Sequence, residues 1–267
     1  FRFDTEQDEV TFGSITSLSK SIEIGACDGE WRVVNAPSWL TFTPSTGTGS
    51  TTISVTAQEN ITTAPRSETV RLESDYITEN TAIYKEIVVE QDALKFDIET
   101  VKDVTFKALS SGDERVQIGI CDGGWKLLDK PEWITMPSSG NGNESITLTA
   151  QNNYQLNSRA YDIKIVSEKN SSLVKTISVS QEAFKFDTIE TGKALEFAAT
   201  EDTKTFTLTD YDGICEVYNK PAWVDRVDIS GNIVTISASA NVKKEKDSKR
   251  DDEIVIRSQF YNFNNKL

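Results

Sequence analysis

The sequence predicts an all-β chain of three tandem immunoglobulin-like β-sandwiches, about seven strands each, arranged as an elongated rod. Three observations predict it. The stretch Cys27-Asp28-Gly29-Glu30-Trp31, followed by Pro37-Ser38-Trp39-Leu40, returns as Cys121-Asp122-Gly123-Gly124-Trp125 with Pro131-Glu132-Trp133-Ile134. It returns again as Tyr211-Asp212-Gly213-Ile214-Cys215 with Pro221-Ala222-Trp223-Val224. Its prolines lie 94 and then 90 residues apart, a period that means tandem domains and not a solenoid of short repeats. Between the repeats, short runs alternate apolar and polar residues and are separated by Gly, Pro, Asn and Asp. At 267 residues the chain divides into units just large enough to bury a core each, placed at 1–93, 94–183 and 184–267.

In copy one, Val10-Thr11-Phe12 and Ser21-Ile22-Glu23-Ile24 read as strands. Asp28-Gly29 reads as a tight hairpin turn, with Trp31-Arg32-Val33 leaving it. Pro37 ends that strand and Leu40-Thr41-Phe42 begins the next. Residues 46–50 read as a loop, and 52–57 alternate cleanly as a strand. Glu68 to Leu72 and Ile87 to Gln91 are the next strands, with a ragged loop expected from Asp75 to Thr81. Copy two repeats the plan with Val116-Gln117-Ile118, Trp125-Lys126-Leu127, Ile146-Thr147-Leu148, Ile163-Lys164-Ile165 and Ile177-Ser178-Val179-Ser180-Gln181. Copy three supplies Phe206-Thr207-Leu208, Cys215-Glu216-Val217, Ile233-Val234-Thr235-Ile236 and Ile254-Val255-Ile256. No closing Ile-x-Val-x-Gln comes after it, and residues 260–265 read as irregular loop, so copy three is expected to lack its last strand or to borrow one.

The junctions Gln91-Asp92-Ala93-Leu94-Lys95-Phe96 and Gln181-Glu182-Ala183-Phe184-Lys185-Phe186 carry no Gly or Pro and an apolar residue each, so they read as short stiff joints. Net charge is −14, which argues against nucleic acid as a partner, and no run approaches the ~20 apolar residues of a membrane helix. The chain has no histidine, which removes Ser-His-Asp and Cys-His catalysis and disfavours zinc, copper and iron sites. No cofactor and no enzymatic activity are expected. Three cysteines, one per copy, read as free core residues and not as a disulfide framework. Copy three has Tyr211 and Cys215 where the others have a Cys and a Trp, two ways of filling similar core volume.

The order Trp-x-Val, Pro-Ser-Trp-Leu, Gly-Thr-Gly-Ser, Ile-Ser-Val-Thr-Ala-x-x-Asn, an Arg before the next strand and a closing Ile-x-Val-x-Gln resembles the BACON domain. The resemblance covers nearly the whole chain, copy three departing at Tyr211, Cys215 and its end. It implies an exported, lipid-anchored surface protein of gut Bacteroidetes, carbohydrate-associated, with such domains placed ahead of glycoside hydrolases or mucin-directed proteases. A leader and anchor preceding residue 1, and a further region past Leu267, are expected on this reading, in a monomer.

Candidate glycan-binding residues emerge from chemistry. Trp39, Trp133 and Trp223 are placed on the outer side of their strand by Leu40 and Phe42 pointing inward, and an indole face suits the C–H face of a sugar. Asn60, Asn153 and Asn241, with Arg66, Arg159 and Arg250, could bond the hydroxyls. Each also has a structural reading: the Trp plugs the end of the sandwich, the Asn makes an Asx turn, and the Arg makes a strand-end ion pair. Tyr76, Tyr154 and Tyr261 are further loop aromatics. Asp210-Tyr211-Asp212-Gly213 reads as a turn, not a calcium loop, and residues 243–252 as a solvated charged loop. Two function classes result: a module associated with mucin or polysaccharide glycans, and a rigid spacer that binds none.

Overall fold

The computed structural model of the chain describes residues 2–15, 18–78, 81–98, 103–109, 112–186, 194–242, 249–260 and 264–266. Every regular element among them is a strand, and the buried residues gather into three separate hydrophobic clusters, one per repeat.

Copy one comprises β1 (Phe3–Thr5), β2 (Glu9–Phe12), β3 (Lys20–Cys27), β4 (Glu30–Val34), β5 (Leu40–Thr43), β6 (Thr46–Thr48), β7 (Thr51–Ala57), β8 (Arg66–Thr78) and β9 (Thr81–Gln91). They make two sheets, β1-β3-β7-β5 and β2-β9-β8-β4-β6. Alternation puts Ile22, Ile24, Ile53 and Val55 on the inner face of one sheet and Val70, Leu72, Ile87 and Val89 on that of the other, with Trp31 between. Only β2 pairs in parallel, with the end of β9.

Copy two repeats this with β10 (Phe96–Ile98), β11 (Val104–Phe106), β12 (Asp113–Cys121), β13 (Trp125–Asp129), β14 (Ile134–Thr135), β15 (Ser139–Gly140), β16 (Glu144–Ala150), β17 (Arg159–Ser167) and β18 (Val174–Gln181). Its sheets are β10-β12-β16-β14 and β11-β18-β17-β13-β15, and β11 runs parallel to β18. Copy three has β19 (Asp202–Thr207), β20 (Cys215–Asn219), β21 (Val224–Ser230), β22 (Ile233–Ala238), β23 (Val255–Ser258) and β24 (Asn264–Lys266), in sheets β19-β22-β21 and β20-β23-β24. An isolated bridge between Phe186 and Tyr211 stands where the first strand pairs in the other copies.

Four expectations are corrected. Asp28-Gly29 does not close a hairpin: β3 and β4 lie in different sheets, and the turn carries the chain from one sheet to the other. Residues 75–78 and 81 are strand, because β8 and β9 continue as one long antiparallel ribbon to the Thr78–Thr81 pair. Residues 46–48 form β6, a short edge strand on β4. At the end of the chain, residues 264–266 form β24 on the edge of β23 where irregular loop was expected.

The edge strands β6 and β15 each bring a glycine against a buried tryptophan. A Cβ at Gly47 would stand 2.5 Å from Trp31 Cζ2, and one at Gly140 2.9 Å from Trp125 Nε1. Gly47→Ala is therefore expected to cost about 2 kcal/mol, because the packed indole must shift. The check is the urea midpoint at unchanged slope, and a variant as stable as its parent would show that the strand gives way freely.

All three cysteines are free, with Cys27 and Cys215 buried and Cys121 half-buried. Burial pushes the thiols of Cys121 and Cys215 up to about 11, which suits packing and not nucleophilic chemistry.

Candidate functional site

The structure gathers the nine candidate residues into three equivalent sets, one at an end of each sandwich. In copy one the guanidinium of Arg66 lies over the Trp39 ring, 4.4 Å from its centroid. Arg159 lies 4.5 Å from Trp133 and Arg250 5.1 Å from Trp223 in the same way. All three tryptophans are half-buried, and each packs against the core cluster of its own copy. One approach to each indole is thus occupied by a cation from the same domain.

The arginines make no ion pair among the described contacts, which corrects the ion-pair expectation. Arg66 Nη2 donates to the Gln58 carbonyl at 2.6 Å and Nε donates to Gln91 Oε1 at 2.8 Å. Arg159 Nη2 donates to the Gln151 carbonyl at 2.7 Å and Nε to Gln181 Oε1 at 2.8 Å. Partial burial lowers both guanidinium pKa values, but arginine stays charged, and neutral oxygens satisfy it. The glutamines are the residues that sequence reasoning missed. Gln91 Nε2 donates to the carbonyls of Gly13, Ser14 and Gln58, and Gln181 Nε2 to those of Lys107, Ala108 and Gln151. Both side chains are fully enclosed. The signal was present as the last letter of Ile-x-Val-x-Gln, an amide where the alternating strand pattern asks for an apolar residue.

Asn60 and Asn153 are buried, and their carboxamides do two jobs. Each Oδ1 accepts a backbone N–H two residues on, from Thr62 and Gln155, the Asx turn that the sequence suggests. Each Nδ2 donates to a carbonyl of the adjoining junction, Asp92 at 2.9 Å and Glu182 at 2.8 Å. Asn241 N donates to the Ala199 carbonyl at 2.8 Å, as Asn60 N does to Ser14 and Asn153 N to Ala108.

The junctions themselves are bonded residue by residue. Asp92 N donates to Phe12 O and Leu94 N to Thr62 O, on the first sandwich, whereas Lys95 N donates to Asp122 Oδ2 on the second. The next junction repeats this with Glu182 N to Phe106 O, Phe184 N to Gln155 O and Lys185 N to Asp212 Oδ2. Leu94 and Phe184 are buried there. The aspartate of each Asp-Gly turn is thus a cap for the start of its domain, since Asp28 Oδ2 accepts Arg2 N likewise.

Side-chain contacts add to both joints. Ser14 Oγ donates to Asp122 Oδ2 at 2.6 Å, Lys169 Nζ meets Glu59 Oε1 at 2.7 Å, and Asn170 Nδ2 donates to Ile61 O at 2.8 Å. At the second joint Tyr154 packs against Phe184 and stacks on Phe260, with both centroid distances 6.3 Å. Tyr154 is therefore half-buried in a joint, while Tyr76 is an exposed strand residue and Tyr261 lies outside the described residues.

Two clefts accompany these features. One of about 280 Å³ lies beside Trp31, where Arg32 and Glu73 are bonded to each other at 2.5 Å. The other, about 420 Å³, lies in copy three beside Trp223, Asn241 and Arg250. No group of three His, Cys, Asp or Glu able to hold a metal occurs among the described residues.

A family model described as "Putative binding domain, N-terminal" matches residues 29–92 and 124–182, in two of the three repeats. No curated protein matches the chain. Among solved structures, titin domains I67–I69 are 12% identical with a TM-score of 0.36, the alignment covering 96% of this chain and 92% of that one. The human desmocollin-1 ectodomain is 10% identical with a TM-score of 0.32, covering 99% and 60%. An endo-fucoidan hydrolase of glycoside hydrolase family 107 is 12% identical with a TM-score of 0.27, and this chain, 88% of it aligned, spans 38% of that protein's length. At such scores these likenesses add nothing to the sandwich architecture already described.

Proposed function

Residues 29–92 and 124–182 belong to the BACON family, and from that premise we propose that the chain is a non-catalytic cell-surface spacing module. On this reading its serial sandwiches hold the segments on either side of them at a fixed separation and angle. The observation that carries it is the pair of identically bonded joints. In each, a buried asparagine, a capping aspartate and an enclosed apolar side chain fix a linker of a few residues. Of the residues that the sequence offers for sugar recognition, Asn60 and Asn153 are bonded into those joints, and Arg66 and Arg159 lie over Trp39 and Trp133 within their own sandwiches. The absence of histidine from the chain supports a non-catalytic role.

The second reading, weak association with mucin or polysaccharide glycans in series, is favoured by the half-buried state of Trp39, Trp133 and Trp223, which leaves part of each indole at the surface. A glycan array separates the two. The spacer reading expects no retention above background on mucin or plant glycans, whereas retention lost on Trp39→Ala, Trp133→Ala and Trp223→Ala together would establish the glycan reading.

A further inference from the structure

We propose that the turn Asn141-Gly142, between β15 and β16, is a site of spontaneous backbone modification. Ring closure onto the asparagine side chain there yields an isoaspartyl link and takes an acceptor from Trp125. Asn141 is the one asparagine in the sequence that a glycine follows. Glycine favours this reaction, because it has no side chain to keep its amide nitrogen away from the carboxamide carbon. The structure leaves both reacting groups open. Asn141 is exposed and lies outside the strands, at the bend between β15 and β16. Among the described residues neither its carboxamide nor Gly142 N takes part in a hydrogen bond. The groups on either side are held: Asn141 O accepts from Trp125 Nε1 at 3.2 Å, and Asn143 N donates to Gly119 O at 2.9 Å.

The chemistry needs only water. Gly142 N attacks Asn141 Cγ and a C–N bond forms. The Cγ–Nδ2 bond breaks, and ammonia leaves with the proton that Gly142 N gives up, which closes a five-membered succinimide. Water then adds at one of the two ring carbonyls. Opening of the new Cγ–N bond gives aspartate with the main chain unchanged. Opening of the original bond, from the main-chain carbonyl carbon to Gly142 N, gives isoaspartate, in which the chain runs through Cβ and Cγ. No oxidant or cofactor enters.

The place of this turn gives the change a structural consequence. The oxygen that accepts from Trp125 Nε1 is that of the main-chain carbonyl, so in the isoaspartyl form it leaves the main chain for a free carboxylate, and the chain gains a methylene. Room for it is small, since a Cβ at Gly142 would already stand 2.5 Å from Cys121 N. The new charge also arrives in a corner that holds two carboxylates. Glu144 Oε1 is the other acceptor of Trp125 Nε1, and a Cβ at Gly124 would meet Gly140 O at 3.1 Å and Glu168 Oε2 at 3.3 Å. Copy one lacks the site: the residues after the glycine that faces its buried tryptophan are Thr48-Gly49, with no carboxamide.

The full 267-residue chain is kept for weeks in mildly alkaline buffer beside a peptide of residues 137–146, and both are then mapped by mass spectrometry. Enzymatic methylation tells isoaspartate from aspartate. Residue 141 is expected to convert before any other asparagine of the chain, with isoaspartate as the main product. Asn141→Gln, whose side chain closes only to a six-membered ring, should stay unmodified over the same interval. The second sandwich of the isoaspartyl chain should lose about 5 °C in thermal midpoint, and fresh Asn141→Asp, which adds the charge but keeps the main chain, should lose less. An intact Asn141 in the folded chain after the peptide has converted overturns the proposal, because the folded turn then blocks ring closure. Isoaspartate at 141 with the midpoint of the parent overturns the link to Trp125.

Discussion

Trp125→Ala is expected to destabilise the second sandwich by about 4 kcal/mol, enough to unfold much of it at moderate temperature. The indole is fully buried at the meeting of both sheets, so its loss removes a large apolar surface and leaves a cavity that flanking β-branched residues cannot close. Its Nε1 also donates to Glu144 Oε1 at 2.9 Å and to Asn141 O at 3.2 Å, both left without that donor. Trp31 in copy one is equally enclosed but its Nε1 has no acceptor among the described residues. A phenylalanine should therefore be tolerated better at 31 than at 125, by about 1 kcal/mol. Urea unfolding of the three variants, followed by intrinsic fluorescence of the remaining tryptophans, checks both statements. Equal costs for the two phenylalanines would show that the Trp125 bonds contribute nothing net.

Gln181→Ala is expected to cost about 3 kcal/mol, although it removes only a polar side chain from a strand end. The amide donates to three backbone carbonyls and accepts from the Arg159 guanidinium. Truncation takes a donor from each of those carbonyls and the acceptor from Arg159 Nε where water enters poorly, although Ala108 O keeps Asn153 N and Gln151 O keeps Arg159 Nη2. Gln181→Glu should cost at least as much despite similar shape. Its carboxylate pairs with Arg159 but sets negative charge against the carbonyl oxygens of Lys107, Ala108 and Gln151. A loss below about 1 kcal/mol for the alanine variant would show that water replaces the amide there.

The contrast between Trp125 and Gln181 marks what could be read from residues alone. Trp31 and Trp125 are identifiable as core because Tyr211 and Cys215 exchange large for small at the same places, a comparison internal to the chain. The alternation of Ile53 and Val55, or Ile177 and Val179, likewise gives strand and face directly. Gln91 and Gln181 escape because their partners include backbone carbonyls 30 to 78 residues earlier in the chain, groups that every residue carries and no sequence marks. Asp28-Gly29 misleads for a related reason: an Asp-Gly pair reports a turn but not which sheet the next strand joins.

The candidate site was legible as a set and not as a role. Trp39, Arg66 and Asn60 recur in step with their counterparts, and the structure does bring each set together. Their mutual use, arginine on indole and asparagine on the junction carbonyl, depends on the fold of the sandwich end. The stiffness expected of residues 91–96 from lack of Gly and Pro has a different physical basis. It lies in bonds from Asp92, Leu94 and Lys95 to fixed groups on either side.

The spacing role rests on those joints, and a distance distribution tests it most directly. Spin labels introduced by Lys20→Cys on the first sandwich and Lys126→Cys on the second, in a chain with Cys27, Cys121 and Cys215 replaced by alanine, report the angle across residues 91–95 by pulsed dipolar spectroscopy. A single narrow distance is expected in the parent, with clear broadening on Asn60→Ala, which releases the Asp92 carbonyl. A broad distribution in the parent, with the sandwiches separately folded, would contradict the account.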